Sequence, residues 1–411
     1  MTSNLNTGLV DKIVQDCFTV YNKLPKTGKP IEGEWTVLSC VVKYDLDTKE
    51  TEVVSLGTGS KCIGATKMSS KGDIMNDSHA EVFARRGLLL YLYENIESSL
   101  NNETAIFTKQ NSQFKLKDNI EFVFYSSQLP CGDASIISKS EEEENSGDIL
   151  QSIKHKPSED MSDIDSKRQK VDVDIYRTGA KCLPQSDQDP KEHGANYHLL
   201  GQVRTKPGRG DRTLSLSCSD KIAKWIHIGI HGSLLDLLCE PIHIKHIIFG
   251  AGVPYSEESL CRALLKRQEM SLSLDVVPKF YQSSLKFPSV KNKSNIRPAP
   301  GSIIWCKTTS PIFEVAVQGR KLGVTKTKAN LPSNSLSISK YNLYKRFLTI
   351  IQKSKAIKQM LVGDDTISCI PYNQMKKKST RYMKTWLVIK QTFFKMWTVK
   401  PDMWDFCINI Q

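Results

Sequence analysis

The chain has 411 residues, 39% of them hydrophobic, and its 57 Lys+Arg against 44 Asp+Glu give a formal charge of +13. That length holds two to three domains of about 150 residues, or one large domain carrying insertions. No apolar run approaches the roughly 18 residues of a membrane-spanning helix, so a helical membrane protein is excluded.

The first residues, MTSNLNTGLVDKIVQD, have neither the basic nor the apolar region of a secretory leader. Residues 35–44 (WTVLSCVVKY) and 51–56 (TEVVSL) read as strands joined by the turn Asp45-Leu46-Asp47. Residues 80–93 (AEVFARRGLLLYLY) read as a helix with a broad apolar face, and 121–126 (EFVFYS) as a strand. Residues 139–196 are rich in Ser, Asp, Glu and Lys. They read as an acidic, disordered insert, because so little apolar surface cannot offset the entropy of ordering. Beyond it, 222–238 reads as a helix, 246–250 as a strand, 303–305 and 313–317 as further strands, and 342–360 and 375–396 as helices. The βαβα alternation predicts an α/β fold, a sheet with helices on its faces, in a single domain over 1–411 interrupted by the insert.

Charge is unevenly distributed. Residues 141–193 hold 14 acidic against 8 basic side chains, a net of −6, which leaves +19 on the rest. Such an excess points to a polyanionic partner, nucleic acid first. The 11 cysteines lie singly between Cys17 and Cys407. This spacing fits reduced thiols and an intracellular location, nuclear or cytoplasmic, better than a disulfide framework.

Three segments carry the chemistry. Asn76-Asp77-Ser78-His79-Ala80-Glu81 opens the first long helix, Leu129-Pro130-Cys131-Gly132-Asp133 follows a strand, and Ser217-Cys218-Ser219-Asp220-Lys221 precedes a helix. The His79 imidazole and the Cys131 and Cys218 thiolates make a zinc set with an open fourth position for water. A helix N-terminus beside a thiol favours its thiolate form. Glu81, two residues from His79 at the entry turn, suits a proton shuttle rather than a ligand. His-x-Glu followed by Pro-Cys is the zinc deaminase signature, but Ala134 stands where the usual second cysteine would be.

On these motifs, together with Gly57-Thr58-Gly59-Ser60-Lys61-Cys62-Ile63, the chain resembles the adenosine deaminases acting on RNA. The resemblance spans nearly the whole chain apart from the insert. It implies a cytidine-deaminase-like mixed sheet with helices on both faces, elaborated by a C-terminal helical region. It implies hydrolytic conversion of adenosine to inosine, with Cys218 as third zinc ligand and Glu81 as the shuttle. Ser135, where the mRNA-editing branch places arginine, and the loop Lys206-Pro207-Gly208-Arg209-Gly210-Asp211 resemble the tRNA branch. The implied substrate is therefore tRNA, position 37 beside the anticodon of tRNA(Ala), met by a monomer. Ser60 and Lys61 would line the nucleotide pocket, and Lys206, Arg209 and Arg212 would hold tRNA phosphates.

The resemblance also implies a buried inositol hexakisphosphate, held by Asn76, Arg85, Arg86, Lys221, Lys224, Lys340, Tyr372, Lys376, Tyr382, Trp397 and Lys400. So many buried cations need a compensating anion. Trp386 departs from the editing branch, which has lysine there. The alternatives are adenosine-to-inosine editing of double-stranded mRNA, or a catalytically silent RNA-binding module that keeps zinc as a staple.

Overall fold

The computed structural model describes residues 4–110, 113–139, 174–208, 211–267, 274–325, 327–363, 370–401 and 404–409. Its centre is one eight-stranded sheet. The strands in chain order are β1 (Leu38–Asp45), β2 (Thr51–Thr58), β5 (Ile120–Ser126), β6 (Ile244–Phe249), β7 (Lys279–Gln282), β8 (Gly301–Cys306), β9 (Ile312–Val317) and β10 (Arg320–Lys321). Two short strands, β3 (Ser60–Cys62) and β4 (Asp77–His79), pair apart from the sheet. The spatial order is β7-β6-β5-β1-β2-β8-β9-β10. β5, β6 and β7 run parallel, and every other pairing is antiparallel. The sheet is therefore mixed.

The central strands are buried on both faces, and alternate residues enter different cores. Cys40, Val42 and Tyr44 of β1 and Val123 and Tyr125 of β5 face helix α1 (Thr7–Lys23). Val41, Phe122 and Phe124 face helix α2 (Ala80–Leu100) and the C-terminal helices. Helices thus cover both faces, as expected. α2 packs directly on β2: a side chain at Gly57 would lie 2.5 Å from the Ala80 carbonyl oxygen, and Ser55 Oγ donates to the Ala84 carbonyl at 2.6 Å. This close approach fixes the start of α2, and so His79 and Glu81, against the sheet.

Three expectations about elements need correction. No helix is expected ahead of the strand at 35–44, yet Val10, Ile13, Val14, Cys17, Phe18 and Tyr21 bury one face of α1. The helix expected over 222–238 begins earlier and ends sooner, as α3 (Cys218–Ile228), because Gly229 (φ +101°) turns the chain and a single turn follows at Ser233–Asp236. The two long C-terminal helices are each divided. Ser354 separates α4 (Lys340–Lys353) from Lys355–Leu361, and Lys378-Ser379 separates α5 (Tyr372–Lys377) from α6 (Thr380–Thr392).

The segment 139–196 is not structureless throughout. Ile175–Tyr176 pairs antiparallel with Ile137–Ser138, and Lys181–Cys182 pairs with Arg204–Thr205. Asp189 is the half-buried partner of the fully buried Arg204 guanidinium, with two contacts of 2.6 Å. A specific ion pair holds what composition alone reads as unpackable. The part of the segment at 140–173 lies outside the described residues.

Candidate active site

His79 caps α2, Cys131 follows β5, and Cys218 is the first residue of α3. Ser217 caps α3, its Oγ accepting from Asp220 N–H at 3.1 Å. The fold brings the three donors together from positions 52 and 139 residues apart. Cys131 Sγ is 4.0 Å and Cys218 Sγ 3.6 Å from His79 Nδ1, and all three ligand atoms lie within 4.8 Å of one another. Tetrahedral zinc with bonds of about 2.0–2.3 Å sets such donors roughly 3.5–3.8 Å apart. The cluster matches zinc in donor chemistry and nearly in spacing. A hydrogen bond from Cys218, followed by Lys206 and His79, pulls the Cys131 thiol well below its ordinary range, toward the thiolate a metal requires.

Glu81 lies beside this cluster with 3% of its surface exposed. Its Oε2 atom is buried and has no hydrogen-bond partner among the described residues. Buried polar atoms are nearly always paired, so this oxygen marks a place meant for something else. Burial raises the Glu81 carboxyl above its ordinary value, which lets it keep and release a proton closer to neutral pH.

β3 pairs with β4 so that Ser60 lies opposite His79 and Lys61 opposite Ser78, which sets the backbone of both residues next to the strand that carries His79. Lys206 does not face the solvent as expected of a phosphate contact. Its side chain is fully buried and donates to Asp77 Oδ2 at 2.7 Å and to Cys218 Sγ at 3.0 Å. An ammonium so enclosed pairs with the nearest anions instead of reading RNA. Asp77 and Cys218 overcome its burial and raise it well above the ordinary lysine value. Arg212 is exposed, and Arg209 lies outside the described residues.

Asp77 carries no expected role within its motif. Its Oδ1 accepts from His79 N–H at 3.0 Å, and its Oδ2 accepts from both Lys206 and Lys221. Nothing local signals this role, since Lys206 is 129 residues away in sequence.

Lys221 leads to a cavity of about 350 Å³. All eleven residues expected around an inositol polyphosphate line it, from Asn76 to Lys400. Seven are cations: Arg85, Arg86, Lys221, Lys224, Lys340, Lys376 and Lys400. Among the described residues, Asp77 is the one carboxylate in the lining. Burial drives Lys224 well below its ordinary value, Lys340 to about 7, Lys400 to about 8 and Arg86 to about 10. Arg86 Nη2 is buried without a partner among the described residues. Lys224 lies 3.5 Å over the Trp386 ring and 4.9 Å over Trp397, so the tryptophan that departs from the editing branch stacks on one of these cations. A cavity with so many unneutralised cations fits a polyanion.

Comparison with known proteins adds to this geometry. The family model of the adenosine-deaminase (editase) domain matches residues 55–401. The tRNA-specific adenosine deaminase 1 of Drosophila melanogaster is 35% identical over 419 aligned residues, which cover 97% of this chain and 96% of that protein. Its counterpart in Mus musculus is 32% identical over 492 residues, covering 95% and 98%. The double-stranded RNA-specific editase Adar of Drosophila melanogaster is 32% identical over 244 residues, 56% of this chain and 31% of that protein.

Proposed function

Because the chain belongs to the adenosine-deaminase (editase) domain family, an enzyme family with a cytidine-deaminase-like fold, we propose that it converts adenosine to inosine in tRNA, at position 37 beside the anticodon of tRNA(Ala). The observation that carries the proposal is the unpaired, buried Glu81 Oε2 beside the His79, Cys131 and Cys218 donors. Similarity over almost the full length of tRNA-acting relatives favours tRNA over duplex RNA as substrate.

His79, Cys131 and Cys218 would hold one zinc ion, which when bound supplies Lewis acidity and lowers the pKa of water to ~7. Glu81 Oε2 takes a proton from the attacking water and delivers it to adenine N1 as oxygen bonds to C6. Glu81 then takes the proton of the new C6 hydroxyl and passes it to the C6 amino group, and the C6–N bond breaks as the C6 carbonyl forms. Water and adenosine are consumed; inosine and ammonia are released. Ser60 and Lys61 would border the base, and an anticodon-loop adenosine, already unpaired, needs little energy to enter. Inositol hexakisphosphate would fill the basic cavity and stabilise the fold by binding only the native state.

The test is incubation with unmodified tRNA(Ala), read by reverse transcription, where inosine copies as guanosine. Wild-type protein is expected to convert position 37, and Glu81→Ala to lose about 10²–10⁴-fold in rate while retaining metal and tRNA binding. Full activity in Glu81→Ala contradicts the shuttle role. Inosine in duplex messages with tRNA(Ala) unchanged contradicts the substrate.

A further inference from the structure

The segment beginning at residue 174 reaches the loop carrying Cys131. Thr178 Oγ1 accepts hydrogen bonds from Gly132 N–H at 3.0 Å and Ala180 N–H at 3.3 Å. Gly132 has φ +109° and ψ −147°, a conformation open in practice only to glycine. A side chain there would also strike Ser217 Oγ at 2.3 Å. Such a backbone persists only where its surroundings over-determine it.

The surroundings do so. The carbonyl of the Cys131–Gly132 peptide accepts from Ser219 N–H and Ser219 Oγ, each at 3.0 Å. Its N–H meets Thr178. Asp133, next along, accepts from Gly201 N–H at 2.8 Å and Arg262 Nε at 3.2 Å, and Arg262 Nη2 donates to the Asp133 carbonyl at 2.9 Å. The peptide attached to the Cys131 ligand is thus held at one end by the helix of Cys218 and at the other by Thr178.

Thr178 is itself anchored. Its N–H donates to His198 Nε2 at 3.3 Å, so that nitrogen carries the lone pair. His198 Nδ1 then holds the proton and donates to Asp189 Oδ2 at 2.9 Å. Asp189 accepts both terminal nitrogens of Arg204, a guanidinium with no exposed surface. Arg204 N–H donates to Asp220 Oδ2 at 3.0 Å, in the first turn of α3. Hydrogen bonds therefore run from the Cys131 peptide through Thr178, His198, Asp189 and Arg204 to the helix that begins with Cys218.

We propose that Thr178 is a positioning residue: its hydroxyl fixes the Cys131–Gly132 peptide, and through it the direction of the Cys131 sulfur toward His79 and Cys218. The inference rests on the proposed metal site but not on the choice of RNA substrate. The paired variants are Thr178→Val, which keeps the shape and removes the oxygen, and Thr178→Ser, which restores it. The first readout is the rate of zinc release to a colorimetric chelator; the second is single-turnover inosine formation at saturating tRNA.

Thr178→Val is expected to release zinc about 10-fold faster and to slow turnover by a similar factor, with KM for tRNA within about twofold of wild type. Thr178→Ser is expected to match wild type in both. Wild-type zinc release in Thr178→Val overturns the proposal, and so does a Thr178→Ser variant as impaired as Thr178→Val. Should Thr178→Val fail to fold, Thr178→Ser and Thr178→Ala are compared in the same assay, and equal release rates overturn it. A chain that makes no inosine still decides the question through zinc release.

Discussion

The ligand cluster and the basic cavity meet at Asp77, yet their charges are handled in opposite ways. Around Cys131 and Cys218 the buried ammonium of Lys206 has protein partners on both sides, Asp77 and a thiol. Beyond Asp77, seven cations face one carboxylate that two lysines already share. Desolvated like charges that close repel strongly. The first pocket pairs its buried ammonium with its own side chains, and a metal would complete it. The second is left incomplete by the protein, and its anion would belong to the folded core.

The largest effect that separates the two is complete. Cys218→Ala is expected to lose bound zinc and all measurable inosine formation while keeping the cavity anion, as read by elemental analysis of zinc and phosphorus in one sample. Joint loss of both would mean the sites are not independent. Next is Lys206→Met, which keeps the stem and removes the charge shared by Asp77 and Cys218. It is expected to slow single-turnover deamination about 10–100-fold, with tRNA affinity unchanged. Weakened tRNA binding at an unchanged rate would instead return Lys206 to a phosphate-contacting role.

A smaller effect carries a sign. With an anion bound, Lys340 is a charge partner, so Lys340→Met lowers the melting temperature by about 2 °C or more. With the cavity empty, the same change removes a repelled, desolvated ammonium and raises it. The smallest effect is in pH. Burial holds Lys340 at about 7 and Lys400 at about 8, below the ~10.4 of an unfolded lysine. Without an anion, the native state gives up these protons between pH 7–8 and about 10 while the unfolded chain keeps them. Stability of anion-free protein therefore rises with pH across that window. Urea midpoints at pH 7 and 9 should show this rise before inositol hexakisphosphate is added, and a reduced rise after. A flat or falling midpoint in anion-free protein contradicts the account.

The parts of the site readable from sequence were those with local punctuation. His79, Cys131 and Cys218 each lie at a strand–helix junction, and the fold gathers all three. The eleven cavity residues were legible through family resemblance, and all of them line one space. Lys206 was misread because a Lys-Pro-Gly-Arg loop looks solvated, and only the tertiary approach of Asp77 buries its first residue. The stretch 174–196 was misread for the opposite reason. Its polar composition hides the Asp189–Arg204 pair, whose contribution depends on a distant guanidinium. α1 carried a visible signal in the helical spacing from Val10 to Tyr21, and α3 was drawn too long because Gly229 stops it through a backbone angle that hydrophobic spacing does not encode.

The central claim is that one pocket is completed by a metal and the other by a polyanion. The most direct measurement is native mass spectrometry of a purified preparation whose activity on tRNA(Ala) has been confirmed. The account predicts an intact mass exceeding the chain by one zinc ion and one inositol hexakisphosphate. A folded, active preparation whose mass is that of the bare chain, or of the chain with zinc alone, would contradict it.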